Sequence, residues 1–236
     1  MQDIVTFLAG LPAACLAAAV IGAAAAYATA FAADVAETLD EEAALLPEMA
    51  RALLRGGVSN GGRLRAAVVS AFLCGSLPLW STISFPVLAL LIALAVPASV
   101  MDARLLVIPE EFTWALLFAG ALLSPWHSGA EDAILGAAIA SGVTWFTMAA
   151  MEYKTGLPMR AGGDIAAAAA GGAWVGMLAS GVFVFSACVI FMAYTVATGA
   201  SSGGRRWVPM GPALLAAIPL TPVLTPLIEA AAARAL

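Results

Sequence analysis

Long apolar runs joined by short polar connections make up most of the chain. The runs cover residues 4–33, 64–81, 84–101, 112–126, 131–151, 164–179, 181–199 and 209–231. A helix that crosses a membrane needs about 20 apolar residues for some 30 Å of hydrocarbon. In lipid the backbone must satisfy its own hydrogen bonds, which leaves a helix bundle or a closed barrel. Barrel strands alternate apolar and polar over about 10 residues. Runs such as 4–33 and 181–199 are instead continuously apolar and rich in Ala and Leu. The pattern therefore predicts an all-α, polytopic transmembrane bundle of about eight spans. Residues 164–199 are too long for one span, and Gly176, Ser180 and Gly181 offer a place to turn.

Three regions follow: a first span over 1–33, a polar connection over 34–63, and the rest of the bundle over 64–231. The first run opens Met1-Gln2-Asp3, without a basic stretch, and is too long for a signal peptide's apolar core, so it is expected to be retained. The connection opens with Asp34, Glu37, Asp40, Glu41 and Glu42. Pro47 suits a helix start and Gly56-Gly57 its end. Either a short interfacial helix or a solvated linker fits this segment.

Composition moves the chain further from water. Hydrophobic residues make up 63% and charged ones 11%, and the mean hydropathy is +0.99. Soluble domains are about half apolar and about a quarter charged. The net charge of −5 says little, because six of the 15 acidic residues cluster in 34–48. The basic residues say more. Arg51, Arg55, Arg63, Arg65, Arg104, Lys154, Arg160, Arg205 and Arg206 all fall in alternate connections, and only Arg234 falls on the other side. Such a bias marks the cytoplasmic face and puts both termini opposite. Cys15, Cys74 and Cys188 stand singly in apolar runs, so neither a zinc site nor a disulfide framework is expected.

Ionisable residues at the spans are the candidates for chemistry. Asp102 ends the run LALLIALAVPASVM, and Asp164 opens the run IAAAAAGGAWVGML. Asp164 follows Ala161-Gly162-Gly163 and can equally cap a helix. Asp102 is harder to dismiss, because an acid at a helix C-terminus is slightly unfavourable. Two carboxylates about 4 Å apart, at an effective dielectric near 20, repel by about 4 kcal/mol. Such a pair shares one proton at intermediate pH, the arrangement by which aspartic proteases activate water and polarise a carbonyl. The chain's one histidine, His127, lies in an outer loop beside Trp126, so a histidine-based triad is hard to assemble.

The surrounding residues carry a resemblance. Asp102-Ala-Arg-Leu-Leu-Val-Ile108-Pro109-Glu110 resembles the type IV prepilin peptidase pattern, in which a catalytic Asp precedes Ile-Pro-Asn. The approach Ala161-Gly162-Gly163-Asp164 resembles that family's Gly-x-Gly-Asp motif. Ala170 to Gly176 is similar to the small, Trp-containing helix that follows, and Val208-Pro209-Met210-Gly211-Pro212 to its Pro-Phe-Gly-Pro element. Ala161, Glu110 and Ile165-Ala166 depart from the family's Gly, Asn and Lys-Leu.

The resemblance implies a membrane aspartic endopeptidase of the bacterial inner membrane, with Asp102 and Asp164 catalytic and the site facing the cytoplasm. Ile108, Pro109, Gly162 and Gly163 would shape the loops, while Lys154 is a candidate for substrate binding. The implied substrate is a pilin-like precursor with a short basic leader. Without the paired cysteines of the larger enzymes, the chain looks like the compact branch serving tight-adherence (Flp-type) pili, and methyltransferase activity is not expected. No cofactor, metal or nucleic-acid partner is implied, and the oligomeric state is left open. Two rivals remain: a non-catalytic homologue acting as an assembly subunit, and a small transporter binding an ion at the two acids.

Overall fold

The computed structural model describes residues 2–36, 60–80, 83–158, 161–197 and 208–235. Residues 47–57, where either an interfacial helix or a solvated linker fits the sequence, lie outside them. Seven helices appear among the described residues: α1 (Gln2–Ala36), α2 (Asn60–Trp80), α3 (Phe85–Leu105), α4 (Glu110–Leu123), α5 (Ala130–Thr155), α6 (Gly162–Ala197) and α7 (Gly211–Ala235). No strand interrupts them within those residues.

Local chemistry sets the ends. Gly156 closes α5 in the left-handed region at φ 69°, donating its N–H to the Glu152 carbonyl, as glycine commonly does. Glu110 and Glu111 open α4, and Glu131 and Asp132 open α5, where acids suit the positive end of the helix dipole. Pro97 lies inside α3, and Pro219, Pro222 and Pro226 lie inside α7; membrane helices accommodate such residues where neighbours satisfy the freed carbonyls.

Among the described residues, five helices are long and apolar enough to cross a membrane. That number does not confirm the expected eight spans. The run expected at 112–126 forms a helix of only 14 residues, α4. The two runs expected at 164–179 and 181–199 form one element, α6. Within it a single residue, Gly176 (φ 78°, ψ 177°), leaves helical geometry, a backbone region open essentially to glycine alone. The arms on either side lie against each other. The ring of Phe183 fills the space where a side chain on Gly171 would stand. Those two residues would be about 18 Å apart along a straight helix.

Small residues let the helices approach closely. A Cβ on Gly22 of α1 would stand 2.6 Å from the Cys74 sulfur of α2. A Cβ on Gly136 of α5 would meet the α6 backbone, 2.6 Å from the Gly176 carbonyl carbon. This is the small-residue packing of membrane helices, in which dispersion replaces the hydrophobic drive. The centre of the bundle is the first arm of α6, with Ala167, Ala168, Ala170 and Trp174 fully buried. The Trp174 indole N–H donates to the Leu116 carbonyl at 2.9 Å, and Ser124 Oγ donates to the Trp174 carbonyl at 2.6 Å, which fastens α4 to α6. Outward faces are apolar: Phe72, Leu122, Leu178 and Val196 are each more than 75% exposed. Water would not tolerate that surface, and lipid does. The chain is an integral membrane protein.

Candidate active site

α3 stops one turn after Asp102. Leu106 adopts φ 56°, ψ 32°, and its N–H returns to the Asp102 carbonyl at 2.9 Å. A non-glycine residue in the left-handed region costs roughly 1 kcal/mol, and it turns the chain sharply into Val107-Ile108-Pro109. Pro109 then starts α4 with an extended backbone, its carbonyl accepting from Phe112 and Thr113.

Ile108, 7% exposed, folds back into the bundle. It packs on Gly163, where a Cβ would stand 3.3 Å from the Ile108 Cβ, and on Gly211, where a Cβ would stand 2.8 Å from its Cδ1. This one side chain therefore spaces the starts of α6 and α7 beside the end of α3. Pro109 is half-buried at the lip.

Asp102 is 5% exposed. A buried carboxylate is costly unless hydrogen-bonded or compensated. Here the Gly211 N–H, at the N-terminus of α7, donates to Asp102 Oδ2 at 2.7 Å, adding a charge-assisted bond and the positive end of a helix dipole. Asp164 sits half-buried in the first turn of α6, directly after Gly163, on which Ile108 packs. Residues 62 positions apart in sequence are thus brought together where three helix ends meet.

The other expected residues divide. Gly163 is needed for the close approach of Ile108, whereas Gly162 is exposed with open space around it. Lys154 is exposed in the last turn of α5 and, among the described residues, is tied to neither aspartate. His127 belongs to the opposite end of α4. Its Nδ1 accepts from the Gly129 N–H at 3.1 Å, which leaves Nε2 to donate to the Gly120 carbonyl at 2.8 Å.

One cluster escapes the sequence reading. Asp34, at the end of α1, bridges two arginines: Oδ2 pairs with Arg63 Nε of α2 and Oδ1 with Arg104 Nη1 of α3, both at 2.7 Å. Arg63 also lies over the Phe31 ring, 4.6 Å from its centroid. Arg104 is two residues past Asp102, so the cluster clamps the turn that carries the acid. An acid closing one span while arginines stand at the ends of its neighbours is the available signal, but in sequence Asp34 reads as the first acid of the polar connection.

Comparisons with known proteins bear on the same stretch. Residues 87–196 match the type IV leader peptidase family. The prepilin leader peptidase/N-methyltransferase of Pectobacterium carotovorum subsp. carotovorum is 34% identical over 89 residues, which are 37% of this chain and 32% of that protein. The match thus spans about a third of that relative's length. No solved structure matches. The matched stretch contains Asp102, Ile108, Pro109, Gly162, Gly163 and Asp164, and leaves out Asp34, Arg63 and Gly211. The stretch similar to the type IV leader peptidase family runs from the first turn of α3 to the end of α6 and takes in the motifs around both aspartates.

Proposed function

We infer that this chain is a membrane aspartic endopeptidase that removes the short basic leader of pilin-like precursors. The observation that carries the reading is that Ile108 packs on Gly163, the residue before Asp164, and on Gly211, whose N–H holds Asp102, at the junction of α3, α6 and α7. In the ionised–protonated pair, one carboxylate takes a proton from water as the water oxygen bonds to the scissile carbonyl carbon. The protonated partner donates a hydrogen bond to the carbonyl oxygen. Collapse of the tetrahedral intermediate breaks the C–N bond, and the departing amine takes the proton held by the base. Gly163 and Ile108 keep the rim narrow, while the exposed Gly162 leaves room for a substrate backbone.

The basic connections support a cytoplasmic site in a bacterial inner membrane. Eight crossings follow if α2 and the short α4 are counted as spans and the two arms of α6 separately, and that count returns both termini to the opposite side. Cys15, Cys74 and Cys188, each single in an apolar run, suit the compact, Flp-type branch.

A second reading has one observation in its favour. Asp102 accepts the Gly211 N–H, a use that a purely structural, non-catalytic assembly subunit would also make. Purified protein in vesicles, given a precursor in ¹⁸O water, separates the two. The peptidase reading expects one cut and one ¹⁸O atom in the new carboxyl group. An intact precursor would leave the assembly-subunit reading.

A further inference from the structure

A groove of about 450 Å³ runs between α2, α3 and α7. Its α3 wall is one helical stripe, Ile92, Ala95, Ser99 and Ala103, at i+3/i+4 spacing. Its α7 wall is Pro212, Leu215, Ala216 and Pro219. Both walls begin beside Asp102. Ala103 follows Asp102, and Pro212 follows Gly211, whose N–H holds Asp102. The α3 stripe is about 16 Å long at 1.5 Å per residue, roughly half the hydrocarbon thickness. The third wall stays apart because α2 lies along α1 and touches α3 only slightly.

We propose that this groove seats the apolar helix of the precursor, the segment directly beyond the scissile bond. The proposal rests on the peptidase reading above and adds where the membrane-borne part of the substrate lies. One feature favours a peptide helix over a lipid chain. Ala66 and Ser70 of α2, Ala95 and Ser99 of α3 and Ala216 of α7 keep the floor low, which admits a helix backbone. Ser99 Oγ is already satisfied by the Ala95 carbonyl at 2.7 Å, so the wall presents a bonded hydroxyl to an apolar neighbour. Charge points the same way. Glu110 and Glu111 are exposed in the first turn of α4, just past Ile108, which packs on Gly211 beside Asp102; these acids suit a basic leader more than an anionic headgroup. Arg65 stands on the α2 lip.

The test uses a precursor carrying a photoreactive benzophenone in its apolar helix, with the full chain in vesicles. Cross-links are expected on α2, α3 and α7 along the groove. Filling the groove with Ala95→Phe, or its lip with Val69→Trp, is expected to cut cross-link yield and raise KM for the precursor, each about tenfold. Leu178→Phe, on a lipid-facing position near the other end of the bundle, serves as the control and should change neither. Cross-links mapping to α5 or to the outer face of α4 overturn the proposal. So does precursor binding that both filling variants leave unchanged, with an acyl-chain probe labelling the groove instead. Groove cross-links to a precursor that is never cut would retire the peptidase reading and leave the docking surface standing.

Discussion

Gly136 and Gly142 lie six residues apart on α5, and alanine at each should have opposite effects. Replacing a helical glycine with alanine is worth up to about 1 kcal/mol in propensity. At Gly142 nothing lies within 4 Å of the new methyl group, so the gain is kept. At Gly136 the methyl carbon would stand 2.6 Å from the Gly176 carbonyl carbon and even nearer the Gly172 carbonyl oxygen. Ordinary contact begins near 3.4 Å, so α5 and α6 must part by at least 0.8 Å. Both obstacles are backbone atoms and cannot rotate away. Overpacking of this kind typically costs 1–3 kcal/mol. Gly136→Ala should therefore destabilise by about 1–2 kcal/mol, while Gly142→Ala stabilises by a few tenths to about 1. The contact lies eight residues from Asp164 on the same arm, so precursor processing should fall with Gly136→Ala. Reversible unfolding in detergent micelles, run on both variants, measures the difference. Equal stability of the two would refute the close approach of α5 to the folded arms of α6.

Asp34→Asn removes the charge paired with Arg63, whose side chain is 5% exposed. Breaking a buried pair from one side costs about 3–5 kcal/mol, with little added from Arg104, whose side chain is 28% exposed. Unfolding should show that loss, and Asp34→Leu combined with Arg63→Met should recover most of it; wild-type stability in Asp34→Asn would contradict the clamp. Gly176→Ala forces a side chain into φ 78°, 2.9 Å from Asp132 Oδ2, at a strain of order 1–3 kcal/mol. Asp132→Ala removes the acceptor of the Met177 N–H, bonded at 2.8 Å, and should cost about 1 kcal/mol as a lost cap. Both are read by the same unfolding measurement, and an unchanged midpoint in either would argue against the turn.

Helix class and membrane character were legible because every long apolar run lacks alternation, and that pattern alone leaves few structures open to the backbone. Both aspartates were legible for a related reason, since charge beside a span is costly enough to stand out. Gly176 was among the three residues expected to allow a turn within 164–199, and it is where α6 leaves helical geometry. The shortness of α4 was less legible, because Leu122 to Trp126 continues the apolar pattern past the point where Ser124 ends the helix. Asp34 was missed because pairing between α1, α2 and α3 depends on tertiary placement, which spacing along the chain does not carry. The Gly211 contact with Asp102 was equally hidden: a backbone N–H has no signature in the sequence beyond the Pro-flanked helix start.

The central claim is that Asp102 and Asp164 act as one unit in peptide hydrolysis. Residues that act as a unit are strongly non-additive. Processing rates of Asp102→Asn, Asp164→Asn and the double variant, measured on one precursor with folded protein in vesicles, test this directly. Each single variant should fall by about 10²–10⁴, to the level of the double. Wild-type processing in either single variant, or losses that multiply in the double, would contradict it.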